Sequence, residues 1–516
     1  MIKSVKTKTA YNAFYVLGII ILSAIAFKLF GLRTDGLWYD EIYSASFCNL
    51  SLYETIIAVL RFDIHPPAYY LQLNLWSHLF GNTDAVLFYN SIFWSSVTIV
   101  LVYVTTSKLF GTSVALIASL FVSFSGSEVY FAQEVRMYSM MGCFALLGMF
   151  LVHKTVESSS KKYVVLLIVT LVTISMMHGA SLIPFSAILL YYLFVSFPLR
   201  KSSLIRIVIV SVCSSLFLLG CLANSSIKTI SHGEHFGLIQ LGRTTSSWLI
   251  GNFLNSSGTA LFFFVIILLT LIVGIVVDKK IRLITICFVI WPLFLGACLS
   301  LFIRPMWVDR SFSFCAPFLF ISISFLANYF WKRAQHSLFA KVGVVVLFSL
   351  LFFSMVFPYF VKEKSARYKK NYAGYTEIAR YLQSNVLEKD IVYVPDNQTY
   401  WAIARYFVGP SWGSVLKIQD PVKADLSERW PQIYNKIGNS WLQKLHLIPE
   451  KRFIDQKKVK MVIGWSPADY VLNSSHVWII SDYRTDLSKI STCYGRVASS
   501  KKFMKLIVTE MSCSSQ

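Results

Sequence analysis

Residues 84–107 read DAVLFYNSIFWSSVTIVLVYVTTS, and after Asp84 no charged side chain interrupts the run. A helix of that length rises about 36 Å, enough to cross a hydrocarbon layer of about 30 Å. It has no charged stripe to mark a water-facing side, so it belongs in a bilayer. Working outward, runs of the same kind recur at 11–31, 110–125, 137–152, 163–178, 180–197, 206–223, 259–277, 283–303, 311–330 and 342–360. With 84–107 they predict about eleven transmembrane helices. Composition agrees: 55% of the 516 residues are hydrophobic and 14% charged, where soluble chains are about a quarter charged. A water-soluble fold is excluded, because a chain this apolar would expose far too much greasy surface.

The charges between the runs set an orientation. Lys3, Lys6 and Lys8 precede the first run. Lys154, Lys161 and Lys162 follow the fourth, Arg200, Lys201 and Arg206 the sixth, Lys279, Lys280 and Arg282 the eighth, and Lys332, Arg333 and Lys341 the tenth. Every second connection is short and basic, and lysine and arginine are retained on the cytoplasmic side during insertion. An odd number of spans then puts the C-terminal segment outside. The first run is long enough to span and lacks a small-residue cleavage site, so it reads as a retained signal anchor. The tail from 361 onward carries 24 Lys and Arg against 14 Asp and Glu, part of a formal charge of +22. A basic segment outside the cytoplasm suits lipid headgroups and lipid phosphates; nucleic acid is not expected as a partner. Six of the nine cysteines fall in or beside apolar runs, where buried, inert thiols are expected. Cys493 and Cys513 flank a strand candidate in the tail and are expected to pair.

The expected organisation is a membrane catalytic domain over 1–360 and an extracytoplasmic α/β domain over 361–516. The first outer loop, 32–83, contains two helices lying on the membrane, at 50–62 and 67–80, and 224–258 is a further loop. In the tail, helices are expected at 373–386 and 398–408 and strands at 390–395, 459–464, 476–481 and 503–510, a small sheet with helices.

The polar residues of the apolar part gather at one side. Trp38-Tyr39-Asp40-Glu41 opens the first outer loop, an acidic pair beside two aromatic rings. Asp63-Ile64-His65-Pro66-Pro67 follows, with the two prolines stiffening the chain behind the histidine. Gln133-Glu134-Val135-Arg136-Met137-Tyr138 lies where a helix emerges; if 133–140 is helical, Gln133 shares a face with Arg136, and Glu134 with Tyr138. His178 ends the fifth run, and Arg304 to Arg310 link the ninth and tenth. Taken singly, each has a bland reading as a solvated loop, a turn or an interfacial pair. Together they favour a reaction site at the outer surface. A transporter would more often place polar groups mid-helix.

The order of these motifs resembles glycosyltransferase family 39 and the dolichyl-phosphate-mannose-protein mannosyltransferase-like enzymes of the GT-C superfamily. DIHPPAYYLQLNLWSHLFG at 63–81 is similar to the family's "hPPLYYLLLHLW…LFG", and YFAQEVRMYSM at 130–140 to its "YAQEARMY". The likeness is strong from about 35 to 155 and weaker at His178 and at RSFSFCAP, 310–317. It implies a polyprenyl- or dolichyl-phosphate-linked monosaccharide donor, inversion at the anomeric carbon, and Asp40 as general base, with Glu41 beside it. The chemistry is coherent: a carboxylate takes the acceptor's proton, and a single displacement needs no covalent intermediate. Arginines can hold the leaving lipid phosphate, and Arg136, Arg310 and Arg304 are the candidates. Trp38, Tyr39, His65, Gln133, Glu134, Tyr138 and His178 are candidates for contacting substrate, and a glycan, lipid or protein for the acceptor. A divalent metal could sit among Glu41, His65, Glu134 and His178, but the spacing does not demand one and no cofactor is expected. The alternatives are a lipid-linked-sugar flippase or transporter, and a lipid-linked glycan ligase.

Overall fold

The computed structural model describes residues 2–30, 32, 36–63, 65–158, 160–198, 201–228, 234–251, 257–303, 305–360, 374–387, 390–394, 397–408, 453–456, 459–463, 476–482, 497–503 and 506–512. The chain divides into two compact units. One comprises Met1–Leu32, Thr55–Gln72 and Leu87–Lys369; the other comprises Arg33–Glu54, Leu73–Val86 and Lys370–Gln516.

Helices fill the first unit: α1 (Ile2–Phe30), α3 (Leu52–Phe62), α4 (Ala68–Phe80) and α5 (Asp84–Phe110), the last three each with residues in both units, α6 (Thr112–Phe124), α7 (Gly126–Ala132), α8 (Tyr138–Glu157), α9 (Lys161–Ser175), α10 (Leu182–Val195), α11 (Lys201–Lys228), α12 (Leu238–Ile250), α13 (Ser257–Val277), α14 (Lys279–Thr285), α15 (Trp291–Phe302), α16 (Ala316–Arg333) and α17 (Leu338–Phe360). The short α2 (Tyr39–Ser46) belongs to the second unit. Seven of the described helical stretches are long and apolar enough to cross a membrane, and the bent pair α6 and α7 makes an eighth. The expected count of eleven is not reached on that measure. The reason is length: α9 and α10 have 15 and 14 residues, about 21–23 Å of helix. Helices appear at both stretches expected to lie on the membrane, as α3 and α4, whereas α12 occupies what reads as loop in the sequence.

Two breaks have local causes. Between α6 and α7 the axis turns by 55° at Ser125-Gly126. The Ser125 side chain accepts the Glu128 amide and restarts the helix, as expected of a serine–glycine kink. Gly126 is needed there, since a Cβ would fall 2.1 Å from the backbone of Ile250. Between α14 and α15, Ile286–Ile290 forms a π-turn just ahead of Pro292. Proline cannot donate to the preceding turn, and the wider π-turn absorbs the defect. Of the cysteines expected to be buried, Cys143, Cys287 and Cys315 are, but Cys213 is exposed on α11.

The tail holds α18 (Tyr375–Asn385), α19 (Asn397–Val408) and a six-stranded sheet: β1 (Ile391–Val394), β2 (Phe453–Gln456), β3 (Val459–Ile463), β4 (His476–Asp482), β5 (Val497–Phe503) and β6 (Leu506–Ser512). The strand order is β2-β3-β1-β4-β6-β5. β1 is parallel to both neighbours, with Val392 opposite Met461 and Trp478, and the outer pairings are antiparallel. Ile378, Leu382, Val392, Ile403, Trp478 and Val508 form its core. Burying them on the face carrying α18 and α19 stabilises by about 25 cal/mol per Å² of apolar area. Cys493 and Cys513, and hence their expected pairing, lie outside the described residues.

Candidate active site

In the first unit several of the candidates lie together in one largely buried cluster. Pro66 and Pro67 are buried, and the amide of Ala68 donates to the Met176 carbonyl at 2.7 Å. That bond ties the stiff turn before α4 to the end of α9. It brings two histidines 113 positions apart face to face, with His65 and His178 stacked at 4.4 Å between ring centroids. The Gly179 amide donates to His65 Nδ1 at 3.2 Å, and the Ala180 amide donates to His178 Nδ1 at 2.9 Å. A ring nitrogen that accepts an N–H carries no proton, so the neutral rings hold theirs on Nε2. Each histidine is thereby set as an Nε2–H donor. Asp63 steadies the turn by accepting the His65 amide at 2.9 Å.

Two arginines share this environment. Burial pushes both histidines well below the ordinary value of 6.5, and the nearby positive charges of Arg136 and Arg310 act in the same sense. Both rings are therefore neutral at physiological pH. Arg136 is buried and donates to the Tyr70 hydroxyl at 3.4 Å. Tyr138 packs on His178 with ring centroids 5.9 Å apart. The segment leading to Arg310 is anchored: Glu234 and Trp307 exchange backbone hydrogen bonds, Trp307 Nε1 donates to Thr244 Oγ1 at 2.9 Å, and Thr244 donates to Asp309 Oδ1 at 2.7 Å. Arg304 lies outside the described residues.

The 133–140 stretch differs from expectation. α7 stops at Ala132 because the amides of Gln133 and Glu134 close onto the carbonyls of Tyr130 and Phe131 in tight turns, and α8 begins only at Tyr138. The stretch 133–137 is therefore not helical, and helical periodicity does not set which of its side chains share a face. Instead Gln133 Nε2 donates to the Lys28 carbonyl at 2.7 Å and to the Tyr359 hydroxyl at 3.2 Å. The Glu134 carbonyl accepts the Ser91 hydroxyl. Gln133 thus pins this turn to α1 and α17.

In the second unit, Trp38, Tyr39, Asp40 and Glu41 begin α2. Glu41 is fully buried and its Oε2 accepts the Trp38 amide at 3.0 Å, so it closes the helix N-terminus. Asp40 is half-buried in the same first turn, where the helix dipole favours a carboxylate. The Trp38 indole Nε1 is buried, and no acceptor among the described residues reaches it.

Among the described residues no cluster of three or more His, Cys, Asp or Glu side chains is arranged to hold a metal ion. The histidines do not fit one either, because a metal on Nε2 would require Nδ1 to donate, and here both Nδ1 atoms accept. Tyr70 and the Lys28–Tyr359 support escape a sequence reading. Tyr70 stands inside the PPAYY motif, and Lys28 is a charge inside an apolar run, which is a signal in itself.

A helical unit with membrane-length apolar helices and a small mixed sheet has the GT-C fold. The fold matches the ArnT of Cupriavidus metallidurans in its apo state, with a TM-score of 0.61 and 11% identity, over 97% of this chain and 98% of that one. It matches the same protein bound to undecaprenyl phosphate with a TM-score of 0.59 and 10% identity, over 95% and 97%. The Archaeoglobus fulgidus oligosaccharyltransferase in complex with zinc and sulfate is more distant, at a TM-score of 0.48 and 10% identity. It is matched over 76% of this chain, which spans only 61% of its length. Residues 64–226 match the sequence model of the family described as dolichyl-phosphate-mannose-protein mannosyltransferase, so the resemblance carried by the 63–81 and 130–140 motifs is borne out. No curated protein sequence matches the chain.

Proposed function

We propose that the protein is a membrane glycosyltransferase that moves a monosaccharide from a polyprenyl-phosphate carrier to an extracytoplasmic glycan, lipid or protein, with inversion. The observation that carries this is the cluster in which two buried, neutral histidines, each set to donate from Nε2, lie near the positive charges of the buried Arg136 and the half-buried Arg310. Two Nε2–H donors and two guanidiniums suit an oxyanion, and a lipid phosphate is the anion a membrane offers. ArnT of the same fold has been crystallised with undecaprenyl phosphate.

Asp40 is the proposed base. It removes the acceptor's proton as the hydroxyl attacks the anomeric carbon, while the sugar–phosphate bond breaks and its electrons pass to the phosphate. Glu41 holds the turn, and the buried indole N–H of Trp38 is a donor for the sugar. The basic connections, such as Lys161–Lys162 and Lys279–Lys280, lie in the cytoplasm in this reading. The site and a C-terminal α/β domain from about residue 361 lie outside.

The test is the purified full chain in liposomes, given a panel of undecaprenyl-phosphate-linked hexoses and pentoses with envelope glycan fractions as acceptors. Release of undecaprenyl phosphate together with a new glycosidic bond, lost in Asp40→Asn, is the expected result. Movement of a lipid-linked sugar between leaflets without transfer would instead support a transporter.

A further inference from the structure

The acidic turn does not stand alone within its unit. The Leu37 amide, one residue before Trp38, donates to the hydroxyl of Tyr406 on α19. That hydroxyl in turn donates to Asp84 Oδ2 at 2.8 Å. The neighbouring Arg405, buried to 1% exposure, donates to Asp84 Oδ1 through Nε at 3.0 Å and Nη2 at 2.6 Å, and to the Asn82 carbonyl at 3.1 Å. A backbone amide, a phenol, a carboxylate and a guanidinium therefore form one continuous chain, in which each bond polarises the next.

The fit around this chain is tight. Gly36 has φ +100°, and a Cβ there would fall 2.6 Å from the Tyr406 hydroxyl oxygen. The backbone must run directly against the phenol, and only glycine allows both the angle and the approach. The other end of α2 is held too: Asn74 Nδ2 donates to the carbonyls of Phe47 and Leu50, each at 2.7 Å. At the end of α19, Gln383 Nε2 donates to the carbonyls of Tyr406 and Phe407 at 3.2 and 3.0 Å, fixing the phenol's backbone.

We infer that Tyr406 and Arg405, in the tail, are positioning residues for Asp40: through Leu37 and Asp84 they fix where the acidic turn begins. The inference rests on the reading of Asp40 as base. It gives the tail a part in the chemistry, because the turn that aims the carboxylate takes its starting point from a tail side chain. A base displaced by a fraction of an ångström loses alignment with the proton it must take. Tyr406→Phe keeps the ring's packing and removes both hydrogen bonds. Asp84→Asn keeps an acceptor and weakens the chain from its other end.

The experiment uses the full chain in two arms. In the first, hydrogen exchange followed by mass spectrometry compares wild type, Tyr406→Phe and Asp84→Asn without any substrate. Exchange across 37–46 is expected to speed up by about tenfold in both variants, while β1, β4 and β6 exchange as in wild type. Unchanged exchange over 37–46, or an equal rise in the strands, overturns the inference. In the second arm, turnover is measured with undecaprenyl-phosphate mannose, or with the panel sugar that wild type consumes. The expected result is a fall in kcat of about tenfold with donor KM within about twofold. If Tyr406→Phe keeps wild-type kcat while Asp40→Asn is inactive, positioning by the tail is refuted and the base stands. If Asp40→Asn is active, the reading of the site itself fails.

Discussion

Lys28 offers the sharpest test of how the membrane unit is held together. It lies in α1 with no exposed surface, and its Nζ donates to Ser95 Oγ on α5 at 2.8 Å. Ser95 donates onward to Glu128 Oε2 on α7 at 3.3 Å, and Glu128 is 7% exposed. A lysine and a glutamate are thus bridged by one hydroxyl within helices that read as membrane-spanning. Lys28→Met keeps the volume and removes the charge, leaving the carboxylate buried without compensation. Breaking a buried pair from one side costs about 3–5 kcal/mol. Hydrogen bonds in membranes run weaker than expected, which favours the low end, about 3 kcal/mol. Glu128→Gln should cost about as much by the same reasoning. The double variant removes both charges and leaves a neutral contact, so its cost should be about 1–2 kcal/mol. The cycle then gives a coupling of about 4 kcal/mol. Equilibrium unfolding of the four proteins in mixed micelles measures it. Additive costs, or a single-variant cost below about 1 kcal/mol, would show that the two side chains do not act as a pair.

Asp40→Asn should lower transfer by about 10²–10⁴, whereas Glu41→Gln, which still accepts the Trp38 amide, should retain most of it; equal losses in initial-rate assays would remove the distinction between base and cap. Arg136→Ala and Arg310→Ala should each weaken the dependence of rate on donor concentration by about tenfold or more, with smaller effects on the acceptor; donor titrations decide. His65 and His178 are held neutral well below 6.5, so the unfolded chain takes up protons that the folded chain refuses. Their contribution to stability is complete above about pH 6.5 and falls as pH drops toward the folded values. Unfolding midpoints compared at about pH 7.5 and 5 should fall less in a His65→Gln, His178→Gln double variant than in wild type. In a cysteine-free background, an impermeant maleimide applied to intact cells should label Ser500→Cys and spare Lys161→Cys; the reverse pattern would overturn the proposed orientation.

The parts of the fold legible in the sequence are those that a two-sided apolar environment leaves no choice about. The α5 run and the inner strands β1, β3, β4 and β6 read directly. The strands that escape are β2 and β5, the two edges of the sheet. An edge strand has one unpaired side, so FIDQ and VASSKKF can be short or polar without cost. α2 escapes because eight residues cannot establish a period, and its start is set by Glu41 closing onto Trp38. The break at Gln133 escapes because the sequence keeps good helix formers there, while the turn is fixed by contacts to Lys28 and Tyr359 from distant elements.

For the site, the residue types were legible and their states were not. Nothing local to His65 shows that its Nδ1 meets the amide of Gly179, 114 positions away. That contact fixes the tautomer of the ring. Protonating either ring on Nδ1 would break a backbone hydrogen bond, so the histidines add no positive charge beside Arg136 and Arg310. In the proposed reaction the donor is a phosphodiester with one negative charge, and the leaving polyprenyl phosphate gains a second as the sugar departs. As that charge grows, the guanidiniums and the two neutral Nε2–H donors interact more strongly with the departing phosphate than with the bound donor. Stabilisation that grows as the bond breaks speeds the step, whereas equal stabilisation of donor and transition state would only tighten binding. A pocket with two further protonated histidines would hold the product lipid phosphate more firmly and slow its release. Neutral histidines avoid that, so the loss in Arg136→Ala or Arg310→Ala should show in kcat as well as in the donor dependence.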